Sequence, residues 1–323
     1  MIKKNSKIYI AGHNGLVGSA VYDLLLRQGY KNILCKRKKE LDLTDEKKVD
    51  FFFKKNKPKY LIICAAKVGG ILKNKNYPLE FLLDNFLIEK NLLMAAKKYN
   101  IKRTIFLGSS CIYPKKSKTP IKESYLMSGK LEKTNESYAL AKIMGIRLSE
   151  ILYEKYKKDI ICLMPTNLYG KNDNFDIALS HVIPGLISKF LNAKKKKLNV
   201  EVWGSGRPSR EFLHVDDLAN AIFTILKVDK KKINKIFKGK LPIINIGSGD
   251  SITIKRLTLL IKKITNYKGK ILFNKNYPDG TMNKDLDSTL IKKLKWKAKI
   301  KLAVGLREVI TYRSNIQNKN NNE

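Results

Sequence analysis

The sequence predicts a doubly wound α/β fold with a second, smaller α/β lobe, and three observations lead there. The segments Lys7–Ala11, Tyr60–Ala66, Thr104–Gly108 and Ile160–Met164 are continuous apolar runs, the pattern of strands buried on both faces. Stretches of helical periodicity separate them, and alternating strand and helix implies a parallel sheet with helices on both sides. After Gly170 the rhythm breaks into shorter pieces, so a second lobe begins there.

The first strand, Lys7–Ala11, runs into the turn Gly12-His13-Asn14-Gly15-Leu16-Val17-Gly18 and then a helix over Ser19–Gln28. Strand, glycine turn and helix in that order let a pyrophosphate sit on the helix N-terminus, the Rossmann-type arrangement for a dinucleotide. The spacing Gly-x-x-Gly-x-x-Gly is typical of short-chain dehydrogenase-like domains. Ile33–Cys35 reads as the second strand, and the residues after it should meet the adenosine ribose. They are Lys36-Arg37-Lys38-Lys39, cations that suit a 2′-phosphate, so NADP is expected over NAD. Asp42 reads either as an adenine-edge contact or as a surface cap.

Pro78–Tyr99 has helical periodicity, and the strand Thr104–Gly108 delivers Ser109, Ser110 and Cys111 to its carboxyl end, where ligands bind in such sheets. Asn135 is placed to cap a helix that carries Tyr138 and Lys142 and runs to about Lys158. Ile160–Met164 is the next strand, followed by Pro165-Thr166-Asn167-Leu168-Tyr169-Gly170. Beyond it, Ser180–Pro184 opens a helix and Val200–Gly204 is a short strand. Arg210–Leu218 returns to the sheet domain, and Pro242–Gly247 is its last strand. The division expected is a dinucleotide domain over residues 1–172 and 211–250, a substrate lobe over 173–210 and 251–313, and a disordered tail over 314–323.

Tyr138 and Lys142 are four apart, so on a helix they share a face. A cation beside a phenol favours the phenolate and should lower its pKa from about 10, giving a proton donor usable near neutrality. Ser109 can share the oxygen that Tyr138 protonates. The trio suits reduction or oxidation at a carbonyl. The spacing alone is weak, since Tyr153 and Lys157 repeat it.

The charge of +38 invites a nucleic-acid reading. Only nine of the 66 basic residues are Arg, however, and the chain is also rich in Asn and Ile, the signature of an A/T-biased coding sequence. The runs Lys36–Lys39 and Lys194–Lys197 lack the interleaved aromatics of a stacking platform. No specific nucleic-acid partner is expected. No apolar run reaches the roughly 18 residues of a membrane span, and no signal peptide is evident, so a soluble cytoplasmic protein is expected. Cys35, Cys64, Cys111 and Cys162 show neither disulfide nor zinc spacing, and His214 with Asp216 and Asp217 lacks a third metal ligand. No metal is expected.

With these residues in view, the chain resembles the GDP-L-fucose synthase family of extended short-chain dehydrogenase/reductases, from about Ile8 to about Gly305. The resemblance is carried by Ala11–Ala20, Ala65–Ile71, Gly108–Pro114, the Tyr138/Lys142 segment, Met164–Gly170, Ser180–Pro184 and Val202–Asp217. Cys111 with His181 singles out the family. It implies epimerisation of GDP-4-keto-6-deoxy-D-mannose at carbons 3 and 5, then NADPH-dependent reduction at carbon 4, in a homodimer packed through Pro78–Tyr99 and Asn135–Lys158. Ser109, Cys111, Tyr138, Lys142 and His181 would be catalytic. Gly12, Asn14, Gly15, Leu16, Val17, Gly18, Arg37, Lys38, Asp42, Lys142, Pro165, Asn167, Leu168 and His181 would meet NADP, and Asn167, Lys189, Trp203, Arg210 and Asp279 the GDP-sugar. Asn14 departs from the basic residue common in the family, so the 2′-phosphate would rest on Arg37 and Lys38. The competing readings are a 4-epimerase that recycles bound NAD and an RNA-binding protein on a dehydrogenase fold.

Overall fold

The computed structural model describes residues 2–177, 180–277 and 279–319. Its main sheet is built from β1 (Ile8–Ala11), β2 (Ile33–Leu34), β3 (Tyr60–Ile63), β4 (Arg103–Leu107), β5 (Ile160–Pro165) and, much later, the strand Ile243–Ile246. All neighbours pair in parallel, in the order β2, β1, β3, β4, β5, Ile243–Ile246. The continuous apolar runs are explained by two cores. Ile8, Ile10, Ile62, Ile105, Ile161 and Leu163 face one side, and Tyr9, Ala11, Leu61, Ile63, Phe106 and Cys162 face the other. Alternation is present, but both faces are apolar because both are covered.

The covering helices are α1 (Leu16–Arg27) on the first side and α2 (Glu46–Asn56) on the second. The short α3 (Ile71–Asn76) precedes α4 (Pro78–Lys98), and α4 packs with α5 (Glu136–Glu154) on the second side. Strand order reverses between β1 and β3. Connections from their carboxyl ends therefore diverge and leave a crevice there, the position where this topology binds ligands.

The later elements are β6 (Asn167–Tyr169), α6 (Val182–Lys196), β7 (Val200–Trp203), β8 (Ser209–His214), α7 (Val215–Lys227), α8 (Lys230–Phe237) and β9, the strand Ile243–Ile246. They end with β10 (Ser251–Thr253), α9 (Ile254–Ile264), β11 (Ile271–Asn274), α10 (Thr289–Lys293) and α11 (Leu302–Lys319). A third core joins Ile183, Leu186, Ile187 and Phe190 to Val200, Val202, Leu257, Ile261, Leu306 and Val309, and it is the interior of the smaller lobe.

Three expectations change. The segment from Arg210 supplies α7 to the main sheet's first face, but β8 itself pairs parallel with β6 and antiparallel with β10. The place beside β5 is already filled by β9. Ile291, Leu294 and Trp296, expected in the smaller lobe, bury themselves in the first core of the sheet domain. Finally, Ser314 to Lys319 continue α11, whose earlier turns are anchored by Leu306, Val309 and Ile310, so the expected tail starts as helix. Residues 320–323 and Pro278 lie outside the described residues.

Candidate active site

The glycine turn lies at the β1/β3 crevice, and its three glycines do different work. Gly12 has φ +85°, and a Cβ there would stand 2.6 Å from the backbone nitrogen of Ala65. A Cβ on Gly18 would collide with the carbonyl oxygen of Gly12, so both positions need glycine for backbone packing. Gly15 meets nothing closer than 3.5 Å and is exposed with Asn14 at the N-terminus of α1. That open, amide-lined helix start is a cradle of the right kind for a pyrophosphate, with the half-buried Leu16 and Val17 as its floor.

At the expected 2′-phosphate corner, Arg37 and Lys36 are not free. Glu40 accepts from Lys36 Nζ at 3.0 Å and from the Arg37 amide at 2.9 Å, and lies 3.5 Å from Arg37 Nε. The backbone bond of Arg37, with Lys36, holds the Glu40 carboxyl down at about 2, so it stays charged. Lys38 is exposed. Asp42 Oδ1 accepts from the Thr44 amide and hydroxyl at 3.0 and 2.8 Å, which makes it a turn former.

At the carboxyl end of β4, Ser109 turns the chain into a short 3-10 helix over Ser110–Ile112, its Oγ accepting from the Cys111 amide at 3.2 Å. Ser109 also lies near enough to the Tyr138 phenol to lower its pKa. Lys142 is fully buried one turn along α5, its Nζ 5.8 Å from the Tyr138 ring centre and donating to the Leu107 carbonyl at 2.9 Å. The expected lowering of Tyr138 is not what the structure gives. Burial pushes the phenol up to about 12; Lys142 pulls it down and Cys111 and Glu89 push it up, while Ser109 helps lower it. The main reason is burial itself, and Glu89 of α4, a residue with no signal in the sequence, adds to it by placing Oε1 2.9 Å from Lys142 Nζ and offsetting the lysine's field.

Asn135 occupies the N-cap position of α5, but its side chain does not cap the helix. Its Nδ2 instead donates to Cys111 Sγ at 3.1 Å, and Lys284 Nζ lies 3.8 Å from the same sulfur. Neither partner was legible in advance. Asn135 carries the wrong signal, that of a cap, and Lys284 is one lysine among many. His181 is the N-cap residue of α6. Its residue is exposed, yet its ring is crowded, and that desolvation lowers the imidazole below its ordinary value. Among the described residues no hydrogen bond joins His181 to Ser109, Cys111 or Tyr138.

Pro165 ends β5, and Asn167 and Leu168 follow in β6, half-buried, with Asn167 Nδ2 donating to the Glu211 carbonyl at 2.9 Å. In the smaller lobe Lys189 lies over the Trp203 ring at 4.4 Å and donates to the Glu201 carbonyl at 3.0 Å. Trp203 stacks on Tyr277 at 4.5 Å and 13°. Asp279 accepts from the Ser205 amide and hydroxyl, each at 2.6 Å. Arg210 donates to the Ser209 carbonyl at 2.7 Å and the Met282 carbonyl at 3.4 Å, and burial lowers its pKa while Asp285, Cys111 and Asp279 oppose that.

The metal expectation needs one correction. His214 and Asp216 do have a third candidate ligand, Glu308, with the three ligand atoms within 4.8 Å of one another. Lys171 Nζ stands 2.6 Å from Glu308, so an ammonium already supplies the positive charge there. All four cysteines are free thiols.

A parallel sheet with a glycine turn at its switch point, and a Ser, Tyr and Lys set at the end of β4, defines an NAD(P)-dependent oxidoreductase of the short-chain dehydrogenase/reductase class. Comparison with known proteins narrows this. Residues 8–247 match the family model described as the NAD dependent epimerase/dehydratase family. The chain is 45% identical over 319 residues to a putative GDP-L-fucose synthase 2 of Arabidopsis thaliana, covering 98% of this chain and 94% of that one. It is 43% identical over 301 residues to the GDP-L-fucose synthase of Escherichia coli K12, covering 93% and 94%. Its fold matches an NADP-bound GDP-L-fucose synthetase from Naegleria fowleri with a TM-score of 0.86 and 25% identity, over 98% of this chain and 97% of that one. The chain belongs to the NAD-dependent epimerase/dehydratase family and, within it, to the GDP-L-fucose synthases.

Proposed function

We propose that this chain converts GDP-4-keto-6-deoxy-D-mannose to GDP-L-fucose, inverting carbons 3 and 5 and then reducing carbon 4 with NADPH. The observation that carries the reading is Cys111: a free thiol shares one site with Ser109, Tyr138 and Lys142. A simple carbonyl reductase has no use for it, whereas an epimerase needs a base beside the ketone.

Carbons 3 and 5 both flank the keto group, so their protons are acidified by the same oxygen. Cys111 takes a proton from one face and His181 returns one to the other. The enolate oxygen lies against the hydroxyls of Ser109 and Tyr138, which donate to it as charge develops. The glycine turn, Gly12 to Gly18, would hold NADPH, which when bound would supply the hydride for carbon 4. Tyr138 gives its proton to the oxygen there, and the Lys142 ammonium stabilises the phenolate left behind. Arg210 and Lys189 take the diphosphate, Trp203 packs on the base or sugar, and Asn167 and Asp279 accept or donate to hydroxyls.

The domain division is proposed as a dinucleotide domain over 1–172 and 211–250, with residues 286–298 packed on it, and a substrate lobe over 173–210 and most of 251–313. Three cores of the corresponding composition support it. The proposed homodimer rests on an apolar stripe open to solvent: Leu79, Leu83 and Leu87 on α4 with Leu140, Met144 and Ile151 on α5. No described helix is long and apolar enough to cross a membrane, and a cytoplasmic location is proposed.

The test is purified protein with GDP-4-keto-6-deoxy-D-mannose and NADPH, followed at the nicotinamide absorbance with the product identified by its sugar configuration. GDP-L-fucose with stoichiometric NADPH oxidation supports the reading. No net consumption of NADPH refutes it. RNA retained at physiological salt with no turnover would favour the nucleic-acid reading instead.

A further inference from the structure

Glu89 is the one charged residue on the inner stripe of α4, among Phe81, Asn85, Leu92, Leu93 and Ala96, and it is 0% exposed. Lys142 Nζ forms an ion pair with it at 2.9 Å from Oε1, and neither carboxylate oxygen has a hydrogen-bond partner of good geometry among the described residues. The opposite helix is shaped to admit it: a Cβ on Gly145 of α5 would collide with Glu89 Oε2 and stand 2.6 Å from Phe106 Cζ. A glycine in mid-helix is unfavourable by itself, so its use here makes room for this carboxylate. A buried ion pair is also a poor stabiliser compared with apolar residues of the same volume, so stability does not explain the pair.

We propose that Glu89 is a positioning residue for the reduction: its carboxylate is the fixed counter-ion that keeps the buried Lys142 in its ammonium form and aimed at Tyr138. The inference rests on the proposed carbonyl reduction. Burial presses against the charge on Lys142, yet Glu89, with Tyr138, more than offsets it and leaves the amine raised. The other titratable groups facing the pair do not take this part. Cys64, after β3, and Cys162, on β5, are pushed by burial up to about 12 and stay neutral. Cys111 bears on Tyr138 from the side of β4, and Tyr138 is the group being served.

Glu89→Gln keeps an oxygen for Lys142 and removes only the charge. Without it burial is largely unopposed and should lower the Lys142 pKa. The alkaline limb of hydride transfer should move down by the same amount. Rate lost on the alkaline side should return as pH is lowered and Lys142 regains its proton, and Glu89→Asp should restore much of the original profile. A merely structural role would depress the rate at every pH alike. The same titration is read without substrate by NMR of 13C-labelled lysine, the Lys142 signal being the one absent from Lys142→Met. A protein that turns over no GDP-sugar but shows the shifted Lys142 titration defeats the proposed function and not this inference. If Glu89→Gln does not fold, Glu89→Asp, which draws the charge back, should show a smaller shift in the same direction. An unmoved Lys142 titration in whichever variant folds overturns the proposal.

Discussion

Replacing Lys142 by Met should cost far more stability than a surface lysine would, because of what it leaves behind. Glu89 is wholly buried, its Oε1 is 2.9 Å from Lys142 Nζ, and no hydrogen bond from any other described residue satisfies its oxygens. Removing one partner of a buried pair leaves an uncompensated charge, worth about 3–5 kcal/mol. At roughly 2 °C for each kcal/mol in a chain of this size, the melting point should fall by about 6–10 °C. The sign of the pH dependence follows. Burial raises Glu89 above 4.5 even with Lys142 present, and without it the carboxyl rises further. A group raised in the folded state contributes stability that is complete below its unfolded value and lost as pH rises through the folded one. The deficit of Lys142→Met should therefore be smaller at pH 5 than at pH 8. Lys142→Met with Glu89→Leu removes both charges and should recover most of the loss. Urea unfolding of the parent, both single variants and the double variant at the two pH values checks all of this. A Lys142→Met deficit below about 1 kcal/mol, or a double variant no better than Lys142→Met, would refute the reasoning.

The division of labour in the site predicts separable defects. In heavy water without NADPH, the parent should take deuterium into carbons 3 and 5 of the substrate, and Cys111→Ser and His181→Asn should each suppress that exchange. Tyr138→Phe should cut reduction by roughly 10²–10⁴-fold while exchange falls less, since Ser109 still supports the enolate; intact NADPH oxidation in this variant would contradict its role. Kinetics with both cofactors should show NADPH preferred, a preference narrowed by Arg37→Ala with Lys38→Ala and widened by Glu40→Gln, which releases Arg37. Asp173 is raised to about 7 by burial, with the Asn174 amide pulling it back, so the stability it contributes is present below pH 3.8 and lost as pH passes 7. Asp173→Asn should accordingly raise the melting point at pH 8, raise it less at pH 5 and leave it nearly unchanged below pH 3.8.

The sequence by itself determined what depends on neighbours along the chain. Continuous apolar runs separated by helical stretches require a covered parallel sheet. The glycine spacing requires a tight strand-to-helix turn, and Tyr138 with Lys142 must share a helix face whatever packs on it. Ser109 and Cys111 follow a strand directly, so their place at the carboxyl end of the sheet was legible as well. Tertiary structure alone decided the pairings between elements. Whether Glu89 of α4 or some other residue met Lys142 of α5 depended on the axial register of two helices packed over Phe106, which no local periodicity encodes. The same holds for Asn135 and Lys284 at Cys111, and for Glu308 beside His214. It holds also for β8, whose pairing with β6 and β10 was settled by β9 taking the place beside β5. The acidity of Tyr138 is the sharpest case: the residue four positions along supplies the cation, but burial and a carboxylate from another helix set the outcome.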